Sequence, residues 1–303
     1  MTSFRAGVVA IVGLPNVGKS TLLNLLLGQK IAIVSARPQT TRNRILGVKN
    51  LDGAQLVLID TPGLHRPSGK GRSELNRYMV EEALRAFQDV DAVLVLAEAP
   101  TEPDYKIPPS HAALLDALAA AKKPSVLALN KIDRARRKDL LLPALDAWSR
   151  AHAFAALVPI SALRGDGVDQ LVEELRKLLP EGERLFPEEM VTDRAERWLA
   201  GEMVREQVFI LTREEIPYAV AVTVDSFKER AKDVVIDATI HVEKEAQKRI
   251  LVGERGKMVR EIGSRARREI GGLLGCPVHL KLFVRVDEGW SQDARALRDL
   301  GYE

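Results

Sequence analysis

At 303 residues the chain is long for one compact domain and comfortable for two. Hydrophobic residues at 46% and charged residues at 29% describe an ordinary globular protein, and a net charge of +3 says nothing about the chain as a whole. A single cysteine, Cys276, excludes an internal disulfide framework, and no run approaches the ~18 apolar residues of a transmembrane helix. The apolar start "AGVVAIVG" is too short for a signal peptide and runs straight into a glycine loop. The expectation is a cytoplasmic monomer in a reducing compartment, with peripheral contact at the inner membrane left open.

Up to about Leu179, apolar strand-like runs alternate with helix-like segments. The strand candidates are Ala6–Val12, Gln55–Asp60, Ala92–Ala97, Ser125–Asn130 and Ala155–Ile160. Helical periodicity marks Thr21–Leu27, Ser73–Phe87 and His111–Ala121. Near-continuous Val, Leu and Ile strands alternating with helices predict an α/β domain whose mostly parallel sheet is covered on both faces. The Asp-Gly in "KNLDGAQ" predicts one antiparallel hairpin at its edge, Arg44–Lys49 with Gln55–Asp60. "LPEGERLFPEEM" makes a poor helix and a poor strand, so the expected division is 1–180, a linker over 181–192, and a second domain over 193–303. There the order becomes helix, two strands, two short helices, strand, helix. The strands alternate, with Val220, Val222 and Val224 on one face, likewise Ile236, Ala238, Ile240 and Val242, and Val278 through Val286. A smaller α+β domain with helices on one face follows.

"GLPNVGKS", Gly13 to Ser20, follows a strand and opens a helix, the context a phosphate loop needs. Backbone N–H groups of Asn16, Val17, Gly18, Lys19, Ser20 and Thr21 can face phosphates there, with the helix N-terminus adding positive potential. Lys19 reaches the β- and γ-phosphates, and the Ser20 hydroxyl ligates Mg²⁺. "NKID", Asn130 to Asp133 with Lys131 between them, sits at the end of a predicted strand. A carboxylate only accepts hydrogen bonds, so Asp133 suits the N1–H and 2-amino group of guanine and leaves adenine unmatched, a discrimination of about 10⁴. "SAL", Ser161, Ala162 and Leu163, follows the next strand and offers amides to the guanine O6. In "DTPG", Asp60 holds Mg²⁺ through a water, and the Gly63 N–H reports on the γ-phosphate. "SARPQTTRNRI" is polar and aperiodic, suited to a switch, and Thr41 rather than Thr40 is favoured to close over Mg²⁺. Leu64 stands where a water-orienting Gln is usual, whereas His65 as a base and Arg42 as an internal arginine finger are lesser candidates.

"GERG", Gly253 to Gly256, joins two predicted helices in the manner of the G-x-x-G turn with which KH domains clamp single-stranded nucleic acid. From Lys244 to Arg268 the net charge is +6. Val259, Ile262, Ala266 and Ile270 mark a buried helix face, whereas Lys257, Arg260 and Arg267 share an exposed one. The expected RNA contacts are Lys248, Gly253, Glu254, Arg255, Gly256, Lys257, Arg260 and Arg267, in a domain whose element order suits the type II KH arrangement. A solvated, salt-bridged helix is the competing reading, supported locally by Glu261 and Arg265.

"GLPNVGKS", "PQTTRNRI", "DTPGLHRP", "NKID" and "SAL", followed by "GERG", resemble the translation-factor-related GTPases, and within them the Era family of bacterial ribosome-assembly GTPases. The resemblance covers nearly the whole chain and departs at "LAEAP", where such strands end in Asp. It implies a GTP/GDP switch that needs Mg²⁺ and binds the single-stranded 3′ end of small-subunit ribosomal RNA, not DNA, during assembly of the small ribosomal subunit. It also implies that a hydrophobic residue after the Asp-x-x-Gly segment is normal in this group, with K⁺ held partly by Asn16 supplying positive charge, so that the catalytic set is Lys19, Thr41, Gly63 and Asn16. The alternatives are an RNA-binding protein with a decayed switch, as Leu64 suggests, and a large-subunit assembly GTPase, disfavoured because the chain has one phosphate loop. "NKID" also argues against a nucleoside or nucleotide kinase.

Overall fold

The computed structural model describes residues 4–35, 37–63, 74–102, 105–135 and 137–302. They gather into two compact units, one of residues 4–31, 41–63 and 79–193, the other of residues 32–40, 74–78 and 194–302.

The first unit is built on a six-stranded sheet with strand order β2-β3-β1-β4-β5-β6. Its strands are β1 (Arg5–Gly13), β2 (Ile45–Leu51), β3 (Ala54–Asp60), β4 (Ala92–Glu98), β5 (Ser125–Asn130) and β6 (Ala156–Pro159). Only the edge pair β2–β3 is antiparallel, closed by the Asp-Gly turn; the remaining pairs are parallel. Val93, Val95, Leu127 and Leu129 are fully buried because helices cover both faces, which is why these strands read as unbroken apolar runs. The helices are α1 (Lys19–Leu27), α2 (Glu74–Arg85), α3 (Ala112–Ala121), α4 (Leu141–Ala151) and α5 (Val168–Leu178). Helices α4 and α5 lie beyond the three segments marked by helical periodicity. Pro143 sits in the first turn of α4, where its missing N–H costs nothing. Trp148 of α4 is completely buried and donates from Nε1 to the Tyr105 hydroxyl at 2.9 Å.

Residues 181–192 form no helix and no ladder, only isolated bridges from Glu181 to Arg5 and from Thr192 to Gly47. Gln55, fully buried on β3, holds this strap with both ends of its amide. Its Nε2 donates to the Phe186 carbonyl, and its Oε1 accepts from the Leu185 and Phe186 N–H groups.

In the second unit β7 (Ala221–Glu229), β8 (Val234–Val242) and β9 (Val278–Val286) form a sheet in that order, antiparallel then parallel. Helices α6 (Glu196–Leu211), α7 (Glu245–Val252) and α8 (Lys257–Leu274) pack on one face, and α9 (Ala294–Asp299) ends the chain. Val204, Val208, Ile236, Ile240, Ile262, Ala266 and Ile270 make its core. Two expectations change. The second of the "short" helices is α8, which runs 18 residues because its apolar stripe continues past Ile270 to Leu273 and Leu274. The other sheet face is not bare, since Thr239 and His241 are buried in it. His241 bonds Asp287 at 2.6 Å and the Thr223 hydroxyl at 2.7 Å, and Thr239 donates to Asp225 at 2.6 Å.

Ile240 is fully buried at the centre of this sheet. Ile240→Ala is expected to destabilise the second unit by about 2–5 kcal/mol, read as a lower urea midpoint at unchanged slope. A midpoint equal to that of the parent would place Ile240 outside the core.

Candidate nucleotide and RNA sites

The carboxyl ends of β1, β3, β5 and β6 converge on one edge of the larger sheet, where open α/β sheets place ligands. From β1 the chain turns through residues 13–18 into α1, which begins at Lys19 with no acidic residue in its first turn. Asn16 is exposed at the loop tip with φ of 63°. Gly18 has φ of 101°, and a Cβ there would lie 2.3 Å from Asn130 Nδ2, so no side chain fits. Val17 is buried beneath the loop, and Thr21 lies half-buried in the first turn of α1.

Lys19 is buried, with its ammonium donating to the Gly13 and Leu14 carbonyls at 3.2 and 3.1 Å. Burial pulls its pKa down to about 8, partly opposed by the charge of Asp60. Asp60, at the end of β3, has no exposed surface. Its Oδ2 accepts from the Ser20 hydroxyl at 2.7 Å and the Thr41 hydroxyl at 3.3 Å, and those hydroxyls lie 2.8 Å apart. Its Oδ1 has no hydrogen-bond partner among the described residues, and burial holds its carboxyl above the usual range. Two hydroxyls around an under-satisfied carboxylate suit a hard cation such as Mg²⁺ that takes its other ligands from water and phosphate. Thr41 is the threonine brought to this pole; the Thr40 hydroxyl instead donates to the Arg37 carbonyl at 2.8 Å. The Arg42 side chain is buried. A Cβ on Gly63 would come within 2.9 Å of Pro15, so only glycine lets this segment lie against the phosphate loop. Leu64 and His65 lie outside the described residues.

At the other end Asp133 presents a carboxylate held below the usual range, chiefly by the Ser161 hydroxyl at 2.6 Å. Asn130 braces instead of facing outward: Nδ2 donates to the Val17 carbonyl at 2.7 Å, and Oδ1 accepts from the Ala162 N–H at 2.9 Å. One buried amide thereby ties the phosphate loop to the base loop. Lys131 has φ of 68° and pairs with Glu98 at 3.1 Å, the residue in "LAEAP". The Leu163 side chain is 75% exposed beside them.

In the smaller unit the "GERG" turn links α7 to α8 with positive φ at Gly253, Arg255 and Gly256. Glu254, Arg255 and Lys257 are exposed, and Lys248 is half-buried near Glu245. Arg260 folds back so that Nη2 and Nε donate to the Arg255 and Gly256 carbonyls at 2.6 and 3.1 Å. A groove of about 260 Å³ runs between α8 and β9, with Arg260, Ser264 and Arg267 on its helix side. Val259, Leu280 and Leu282 give it an apolar lining, and Gly263 lets helix and strand approach. The sequence pattern marks those apolar residues as core; they are half-buried, at an edge strand of the sheet, and Gly263 in an otherwise amphipathic helix is the signal of the close approach beside them.

Residues 8–131 match the family described as "50S ribosome-binding GTPase" and residues 215–291 the family described as "KH domain". GTPase Era of Geobacter metallireducens is 52% identical over 99% of this chain and 98% of its own length. GTPase Era of Lacticaseibacillus paracasei is 44% identical over 100% and 98%. Among solved structures, an Aquifex aeolicus Era variant bound to GDP·AlF4⁻ aligns with TM-score 0.93 and 42% identity, covering 99% of each chain. Era in complex with MgGDPNP and nucleotides 1506–1542 of 16S ribosomal RNA aligns with the same TM-score, identity and coverage. Among the described residues no helix is long and apolar enough to cross a membrane.

The lowered pKa of Lys19 gives a signed test. Phosphates would restore the charged ammonium, so a nucleotide added without Mg²⁺ at pH 8 should take up about half a proton. Calorimetry in buffers of different ionisation enthalpy measures the uptake; heats independent of buffer would contradict the buried, shifted Lys19 ammonium.

Proposed function

The chain belongs to the Era family of GTPases, and from that membership and the site geometry we propose how its residues divide the work of a GTP-hydrolysing, RNA-binding switch. The Ser20–Thr41–Asp60 cluster, with Asp133 at the far end of the same sheet edge, is the observation that carries the reading. Backbone N–H groups of residues 16–21 and the Lys19 ammonium hold the phosphates, and Lys19 exchanges its two carbonyl partners for phosphate oxygens. Ser20 and Thr41 would ligate Mg²⁺, and Asp60 would hold it through a water. Bound there, Mg²⁺ neutralises charge shared by the β- and γ-phosphates. The Gly63 N–H faces the γ-phosphate and orders the segment that follows when that phosphate is present.

Asp133 accepts from the N1–H and 2-amino group of guanine, and Ser161 keeps its carboxylate ionised and aimed. The Ala162 N–H is engaged by Asn130, which leaves the amide of Leu163 as the nearer candidate for the guanine O6. Asn130 and Lys131 shape the pocket from behind. Leu64 has no hydrogen-bonding group, so backbone groups of the switch position the attacking water. A K⁺ ion beside the exposed Asn16 would supply the positive charge that an arginine gives elsewhere.

In the second domain the "GERG" backbone approaches phosphates, Lys257 and Arg267 neutralise them, and Lys248 extends the basic track. Bases splay onto Val259, Leu280 and Leu282 in the α8–β9 groove. The RNA is the single-stranded 3′ region of 16S ribosomal RNA, which sets the work in small-subunit assembly in the cytoplasm. The 16S segment in the Era complex favours this over the large subunit. The domain boundaries follow the same division: nucleotide work in 1–180, a linking strap over 181–192 and RNA work in 193–303.

Asp133→Asn is expected to weaken GTP by about 10³–10⁴ and to favour xanthosine triphosphate, whose 2-oxygen prefers a donor. Competition binding measures it, and equal affinities of the parent for ATP and GTP would end the reading. For the RNA site, Glu254→Asp with Arg255→Asp keeps a left-handed turn accessible and puts negative charge where phosphates pass. Affinity for a 16S 3′-end oligonucleotide should drop, with a shallower salt dependence, while GTP affinity without RNA stays constant. An unaltered RNA titration would move the site away from the turn.

A further inference from the structure

The groove beside α8 uses one face of β9, through Leu280 and Leu282. Side chains alternate along a strand, so the residues between them stand on the opposite face of the sheet. They are His279, Lys281, Phe283 and Arg285, and all four are exposed. In parallel register they lie beside Val235, Asp237, Thr239 and His241 of β8, of which the last two are buried. No acidic residue occurs in β9. Arg285 Nε donates to the two carboxylate oxygens of Asp287 at 3.0 and 2.9 Å, and His279 Nε2 lies 3.5 Å from Asp233. Lys281 forms no ion pair among the described residues, although Asp237 stands opposite it. Phe283 is 55% exposed, and among the described residues of the three strands no other large hydrophobic side chain is exposed.

An exposed phenylalanine in mid-strand has two ordinary uses. It can favour the strand by packing on a cross-strand neighbour, here Thr239, or it can offer its ring to a flat ligand. A protein partner is met by a contiguous apolar patch. The neighbours of Phe283 on this face are Lys281, Arg285, Asp237, Thr239 and His241, and none of them is hydrophobic. A nucleobase asks instead for one aromatic face, with cations where its two flanking phosphates lie. Lys281 and Arg285 stand two residues away in either direction, about 6–7 Å along the strand. We propose that the outer row of β9 is a second RNA contact, on which Phe283 stacks a base while Lys281 and Arg285 meet phosphates. RNA in the α8–β9 groove reaches this row by crossing a single strand, because β9 pairs only with β8 among the described residues. The proposal rests on the reading of that groove as an RNA site and extends the contact to nucleotides beyond it.

The test measures the affinity of the full chain for two single-stranded oligonucleotides of 16S 3′-end sequence. One has about four nucleotides, enough for the turn and its groove, and the other runs well past them. The parent should bind the longer one more tightly. Phe283→Ile keeps strand propensity and apolar bulk but has no flat face. It should weaken the longer RNA about five- to tenfold and leave the shorter one unchanged. Phe283→Trp, which keeps a stacking face, should retain the affinity for both. Lys281→Gln should lower the salt slope for the longer RNA by about one. Equal losses for the two RNAs in Phe283→Ile, or no loss for either, would overturn the inference. Unchanged RNA affinities with weaker association with the small ribosomal subunit would overturn it too, by assigning the row to a protein. If Glu254→Asp with Arg255→Asp left the shorter RNA bound as before, the groove reading would fall and this inference with it. A shorter RNA that depends on that turn, beside a longer one indifferent to Phe283, would remove this inference alone.

Discussion

The larger site depends on a carboxylate kept out of water. Asp60 ends β3 opposite Ile11 of β1, so the parallel register of two buried strands delivers it to the foot of the phosphate loop. An ionised carboxylate there is costly unless charge and donors surround it. Lys19 and Ser20 supply them from the start of α1 and Thr41 from the segment before β2, yet Oδ1 has no hydrogen-bond partner among the described residues and the carboxyl remains above its ordinary range. Lys19 is displaced in the opposite direction by the same burial. Both strains are relieved by one ligand, a metal-bound polyphosphate, which brings negative charge to Lys19 and positive charge to Asp60. The burial that displaces Lys19 and Asp60 thus creates the two demands that this one ligand meets together.

The smaller site uses the opposite device. Its basic residues at the turn are exposed, and its shape comes from backbone in left-handed conformations at Gly253, Arg255 and Gly256. Exposed charges hold a polyanion in a manner that fades with salt, whereas buried ones are screened far less. Affinity for RNA should therefore respond to ionic strength much more than affinity for nucleotide does. The uncharged part of the groove, Val259, Leu280 and Leu282, offers a surface that suits bases better than phosphates.

What could be read from the sequence divides along the same physical line. The phosphate loop, "NKID" and the "GERG" turn are local: their geometry is set by neighbours in the chain, and the residue types announce it. So are the buried strands, whose apolar runs need no knowledge of partners. Thr40 and Thr41 are chemically identical neighbours, and only long-range contacts tell them apart, Arg205 holding one and Asp60 the other. Leu280 and Leu282 alternate as core residues do, and nothing in that alternation reveals that β9 is a free edge with a groove beside it. The same holds for His241, whose burial on the polar sheet face depends on Asp287, 46 residues away.

Helix α6 shows what long-range polar contacts add to apolar packing. Ala200, Met203, Val204 and Val208 bury one side of it in the core of the second unit, while Arg205 and Glu206 are buried on another, bonded to the Thr40 carbonyl and the Val34 N–H. An apolar pair of the same volume would pack that second side at lower desolvation cost. Hydrophobic contacts, however, are non-directional and would tolerate several positions of the bonded backbone. A guanidinium shared between a carboxylate and one backbone carbonyl accepts few.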